Sequence, residues 1–277
     1  MKKIVFLLVF ILGMSIFSGT DVSADSTVAL DQNKINVQHT IPYPSGYNTT
    51  AAGASAYQRK GDHLDSPYFA HPDYFNMTGT DYRTIISNFM TYQQTTEYTC
   101  GPAAVLMVLW HYGVKDKTEL QLAKDLKTNY DWNGNNTINP GQANDPNEFG
   151  TSAASIADYF TTLGWHVESS KTAGDASGYS FKSKVDFQKW IIDQINNKKP
   201  VLVGWSEWKG HWQVIIGYDT MGTTILGDDM LIMADPYDTA DHWQDGYSVV
   251  PMERFYKMWY DADMPSRHQE WVLTYPK

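Results

Sequence analysis

Pro200 divides this chain of 277 residues into two differently patterned parts. Upstream, apolar residues recur at helical spacing over Cys100–Tyr112, Thr118–Thr128, a segment capped by Thr151 or Ser152 and ended by Gly164, and Val185–Asn196. Downstream come apolar runs of strand length: Val201–Trp205, Trp212–Tyr218, Met230–Ala234 and Glu270–Tyr275. A further helix is expected over Pro251–Tyr260, and His166 begins a possible short strand after Gly164. Helices that precede strands predict an α+β fold with an antiparallel sheet rather than βαβ units.

The first residues read as an export signal. Lys2 and Lys3 precede an apolar core, Ile4 to Phe17, and Val22-Ser23-Ala24 offers a small-residue cleavage site. Residues 1–24 are therefore expected to be removed and the protein to be secreted or wall-associated, in a Gram-positive bacterium. Residues 25–80 show no sustained period and are rich in Asn, Thr, Ser, Gly and Pro, as a linker or pro-segment would be. Tyr74 and Phe75 suit a later part docked on the domain, which is expected over 81–277. The stretch Asn129–Phe149 reads as a long loop, and Ile85–Tyr92 as an extended approach to the first helix.

The net charge is −10. Such a balance excludes nucleic acid as a natural partner, since nothing neutralises phosphates, and no membrane association is expected once the signal is cleaved. A monomer is expected. The Asp235, Asp238, Asp241, Asp245 cluster lacks the spacing and central glycine of a calcium loop, so neither metal nor cofactor is expected.

Cys100 is the one cysteine of the chain. It cannot form an internal disulfide, so it is either a small buried hydrophobe or a chemical group. Pro102 fits a first helical turn, which sets Cys100 at a helix N-terminus, where unpaired N–H groups and the helix dipole stabilise a thiolate. Of eight histidines, His211 is the best base: it follows Gly210 and opens an apolar strand. His111 lies about three turns along the Cys100 helix, roughly 16 Å away by helical rise, which excludes it. Asp235 ends an apolar run before Pro236 and can orient the imidazole if the two strands pair. Asp219, Asp228 and Asp229 compete with it but sit in a Gly/Thr-rich loop and are expected to be solvated. Gln94, six residues before Cys100, could join the Cys100 N–H in holding an oxyanion, with Gln93 as its confusable neighbour. Trp205, Trp208 and Trp212 flank His211 as either a shield for the imidazole or core packing.

Joined together, Gln94, Cys100-Gly101-Pro102-Ala103-Ala104, Gly150-Thr151-Ser152, Gly210-His211-Trp212-Gln213-Val214 and Ala234-Asp235-Pro236 resemble the papain-like cysteine peptidases. The resemblance is closest to the bacterial double-glycine (bacteriocin leader) peptidase-like branch. It implies a papain-like fold, with a helical lobe carrying the cysteine and an antiparallel sheet lobe carrying His and Asp. It implies Cys100 as nucleophile, His211 as base and acid, Asp235 as orienter and Gln94 as oxyanion donor, acting on a peptide or protein. Departures are an added loop over Asp219–Asp229 and the lack of a transporter segment or ATP-binding motif, so a free-standing exported enzyme is expected. A cell-wall amidase or acyl transferase on the same fold, and a vestigial binding module, are the alternatives.

Overall fold

The computed structural model describes residues 72–96, 98–128, 150–173, 180–239, 245–260 and 268–277, all within one compact unit, Ala52–Lys277. The export signal, most of the 25–80 segment and the 129–149 loop lie outside the described residues.

Six α-helices are described: α1 (Cys100–His111), α2 (Glu119–Asp125), α3 (Ala153–Thr162), α4 (Ser170–Ala173), α5 (Lys184–Asn196) and α6 (Met252–Lys257). The strands are β1 (Arg83–Ile85), β2 (His166–Ser169), β3 (Val201–Trp205), β4 (His211–Asp219), β5 (Met230–Ala234), β6 (Tyr247–Pro251) and β7 (Glu270–Tyr275). They form one sheet in the order β2-β7-β3-β4-β5-β6, with β1 added on β4, and every strand pair is antiparallel. Among the described residues no helix is long and apolar enough to cross a membrane.

The elements follow from local chemistry. Thr118 opens α2 with a capping box, its hydroxyl accepting from Gln121 N while the Gln121 side chain accepts from Thr118 N. Ser152 and Ser183 cap α3 and α5 from one side only, their hydroxyls accepting from Ser155 N and Asp186 N. From Cys100 to Leu109 every residue of α1 is buried. A helix apolar on all sides needs cover all round, and α1 obtains it from α2 and from β4, the strand at the centre of the sheet. β3 and β4 are likewise buried along their whole length.

Several expectations need correction. Ile85–Tyr92 is not extended throughout: only Arg83–Ile85 forms a strand. The helix expected over Pro251–Tyr260 spans Met252–Lys257, because Pro251 ends β6, a strand that the apolar pattern did not mark. Asp219 and Asp229 are buried rather than solvated. Asp219 accepts from Met221 N at 2.7 Å and faces Arg83, with Nη1 4.0 Å from Oδ2. Asp229 accepts from the Tyr218 hydroxyl and from Gln188 Nε2. In keeping with the docking expected of the segment before the domain, Tyr74 is buried and stacks on Tyr247 with ring centroids 5.5 Å apart.

Candidate active site

The register of two strand pairs builds the site. Trp205 pairs with His211 across β3 and β4, and Val214 pairs with Ala234 across β4 and β5. Continuing that antiparallel register brings Asp235 level with Gln213, one pleat from His211 on the same face. His211 Nε2 and Asp235 Oδ1 are 2.7 Å apart. The other carboxylate oxygen accepts from Gln213 Nε2 at 2.6 Å, and Oδ1 also accepts from Tyr237 N at 2.9 Å. Gln213 is itself held by the Trp205 indole, whose N–H donates to Gln213 Oε1 at 2.7 Å.

Cys100 stands on the far side of the ring. Its side chain lies close enough to act on the His211 ring as a partner and as a charge, and since Nε2 faces Asp235, Nδ1 is the nitrogen left for the sulfur. Cys100, His211 and Asp235 are 7%, 4% and 3% exposed, so the row is nearly dry and its charges are poorly screened. Burial opposes charge on the imidazole. The hydrogen bonds and negative charge of Asp235 and of a Cys100 thiolate outweigh it, and the ring pKa is raised to about 10. Burial likewise pushes Asp235 up, but His211, the Tyr237 N–H and Gln213 hold it below the usual carboxylate range. A cleft lined by Tyr98, Cys100, Thr151, Gly204, His211 and Glu270 opens on the sulfur.

Gln94 is placed by hydrogen bonds at both its backbone and its side chain. Its backbone N–H donates to Pro236 O at 2.7 Å, which joins it to the Asp235 turn. One N–H of its side-chain amide is taken by Thr96 O at 2.7 Å. Gln93 is a clamp: its Nε2 donates to Asp235 O at 2.9 Å, and its Oε1 accepts from Asp238 N at 3.2 Å. The Thr99 side chain does not cap α1. Its hydroxyl goes to Glu119, which leaves the first N–H groups of the helix uncovered by a side chain. Of the three tryptophans, Trp205 and Trp212 are core residues and Trp208 is 62% exposed.

Two contributors escaped sequence reasoning. Gln213 could have been found from its place two residues after His211, since alternate residues of a strand share a face. Glu207 carries no such signal. Its carboxylate lies within 4.8 Å of the ligand atoms of His211 and Asp235. Burial, with the nearby Asp235 charge, raises its pKa against the pull of His211, Arg254 and Gln213. The three side chains are close enough to hold one cation. While Nε2 donates its proton to Asp235, however, it has no lone pair for a metal.

A family model described as the Peptidase_C39 like family matches residues 86–264. Among solved structures, the chain is similar to the peptidase domain of Streptococcus ComA, a bi-functional ABC transporter involved in a quorum-sensing pathway, at 19% identity and a TM-score of 0.41, over 68% of this chain and 99% of that one. It is also similar to a protein of Bacillus anthracis described as a C39-like peptidase, at 18% identity and a TM-score of 0.46, over 71% of this chain and 99% of that one. No curated protein matches the chain.

Proposed function

The chain belongs to the Peptidase_C39 like family, and on that premise we propose that it is a cysteine peptidase acting through Cys100, His211 and Asp235. The observation that carries the reading is the buried 2.7 Å contact between His211 Nε2 and Asp235 Oδ1, on a ring whose other side-chain partner is Cys100. A ring whose pKa is raised to about 10 holds its proton at neutral pH, as an imidazolium paired with a thiolate must.

In the first step the Cys100 thiolate attacks the substrate carbonyl carbon, and the carbonyl electrons move onto oxygen. The Cys100 N–H at the start of α1 and the second N–H of the Gln94 amide hold that oxyanion. As the tetrahedral intermediate collapses the C–N bond breaks, and His211 gives its proton to the leaving amine. Water then attacks the thioester and passes a proton to His211, and the acid product departs as the thiolate reforms. Asp235 keeps the imidazole oriented and compensates its charge throughout, and Gln213 and Tyr237 N keep Asp235 in place.

This reading extends to an exported enzyme, freed of residues 1–24, whose substrates are peptides or proteins outside the cell. The test is digestion of a peptide library by the wild-type chain and by Cys100→Ala. Cleavage by the first and none by the second is expected. Turnover retained by Cys100→Ala would sink the proposal. Product analysis with an added amine separates hydrolysis from acyl transfer.

A further inference from the structure

Trp208 is 62% exposed, the highest exposure among the large apolar side chains described. It occupies the five-residue connection between Trp205 and His211, which are themselves paired. The connection closes through a 3-10 turn, with Lys209 N donating to Ser206 O and Gly210 N to Glu207 O. Reversing the chain in so few residues forces three successive positive φ angles: 51° at Trp208, 70° at Lys209 and 148° at Gly210. Glycine would hold the first of these at no steric cost, whereas a bulky indole resists it. Nor does burial of the indole repay the strain, because most of the ring faces solvent.

The exposed ring has a definite neighbour. Trp208 meets Tyr237 at 5.9 Å with the ring planes 75° apart. Tyr237 in turn stands edge-on to His211, with centroids 6.5 Å apart, and its backbone N–H holds Asp235. Two aromatic rings thus make an open corner beside His211. Tyr237 is 39% exposed, so both walls of the corner reach solvent.

Taken together with the reading of His211 as the acid for the leaving amine, on which the inference rests, this corner has one place in the reaction. The leaving half of the substrate must lie over His211 to receive its proton. We infer that Trp208 and Tyr237 form a subsite for the first residue on the leaving side of the scissile bond, and that it takes an apolar side chain, aromatic or leucine-like. Such a side chain can pack on both rings at once, in the offset and edge-to-face geometries that aromatic pairs favour.

The experiment compares peptides with one acyl half and Phe, Leu, Ala or Asp as the first leaving residue. With the wild-type chain, kcat/KM is expected to be about tenfold or more higher for Phe and Leu than for Ala, the discrimination that an apolar pocket supplies. In Trp208→Ala the ratio of Phe to Ala within the same variant is expected to fall toward one. That ratio is unaffected by the fraction of protein that folds. Trp208→Gly should lose the same ratio while its Tm stays level or rises, since the left-handed backbone is relieved. Wild-type turnover without the preference, or a preference that survives in Trp208→Ala, overturns the inference alone. No turnover of any peptide by the wild-type chain overturns the peptidase reading and the inference with it.

Discussion

His211 and Asp235 are joined by a 2.7 Å contact between Nε2 and Oδ1, with both side chains buried. The pairing has a pH window with a definite sign. The His211 pKa is raised from 6.5 to about 10, so the stability it contributes is fully present below 6.5 and is lost as pH rises through 10. Asp235 is lowered from 3.8, so its contribution is present above that value and is lost at more acid pH still. The rate of Cys100 alkylation by iodoacetamide, and kcat/KM on any cleaved peptide, should therefore change on the alkaline side near pH 10. Asp235→Asn removes the charge and should draw that limb down toward the unperturbed histidine value, with kcat falling about a hundredfold or more. An alkaline limb that does not move in Asp235→Asn contradicts the pairing.

Gly101, directly after the cysteine, has no room for a methyl group. A Cβ there would come within 2.6 Å of Thr151 Cβ and Oγ1. Thr151 cannot step aside easily: its hydroxyl bonds Thr128 at 2.8 Å, and its carbonyl accepts from the Trp212 indole at 2.7 Å. Gly101→Ala should therefore push α1 and its cysteine away from the His211 strand. We expect a loss of about 1–3 kcal/mol in urea melts, with reduced Cys100 alkylation. A fully stable Gly101→Ala with normal alkylation would mean that the contact relaxes freely.

The parts legible in the chain were those encoded by neighbours. Val201–Trp205 and Met230–Ala234 are continuous apolar runs and Glu270–Tyr275 holds one in Trp271–Leu273, the pattern of strands covered on both faces, and the structure has strands with those bounds. Cys100, His211 and Asp235 were legible because each sits at the end of such an element, and element ends are where chemistry can be presented from a rigid support. What stayed hidden depends on distant partners. Asp219 and Asp229 look like loop carboxylates until Arg83, Tyr218 and Gln188 fold over them. Tyr247–Pro251, short and interrupted by Ser248, becomes a strand through its register with β5. Glu207 gains significance only when β4 and β5 bring His211 and Asp235 to it.

Asp229 gives a second pH prediction, of stability rather than activity. Burial raises its pKa to about 6 from 3.8, and the charges of Asp228 and Asp219 add to it, against the hydrogen bonds of Tyr218 and Gln188. A carboxyl raised in the folded state stabilises most below its unfolded pKa, and that contribution is lost as pH rises through the folded value. The wild-type chain should lose up to ~3 kcal/mol from this group between about pH 4 and pH 6. Asp229→Asn keeps an oxygen to accept from Tyr218 and Gln188 without the charge, so its stability curve should be flatter over that window. Urea melts at pH 4, 5 and 6 measure the difference, and parallel curves for the two proteins would contradict it.

Glu119 ties α2 to the segment that leads into Cys100. Its Oε1 accepts from Thr95 N at 2.9 Å and from the Thr99 hydroxyl, and its Oε2 accepts from Thr95 Oγ1 at 2.7 Å and Tyr92 Oη at 3.0 Å. Four donors thus converge on one carboxylate that is 3% exposed. Glu119→Ala orphans all of them and should cost about 3 kcal/mol or more. Glu119→Gln keeps one acceptor oxygen but turns an N–H toward hydroxyls that are already donating, and should cost about 1–2 kcal/mol. Because the segment also carries Gln94, the Glu119→Gln protein should lose kcat on peptides while its Cys100 alkylation, which forms no oxyanion, changes little. Equal losses in both assays would place the effect on the thiolate instead, through Thr99 and the start of α1.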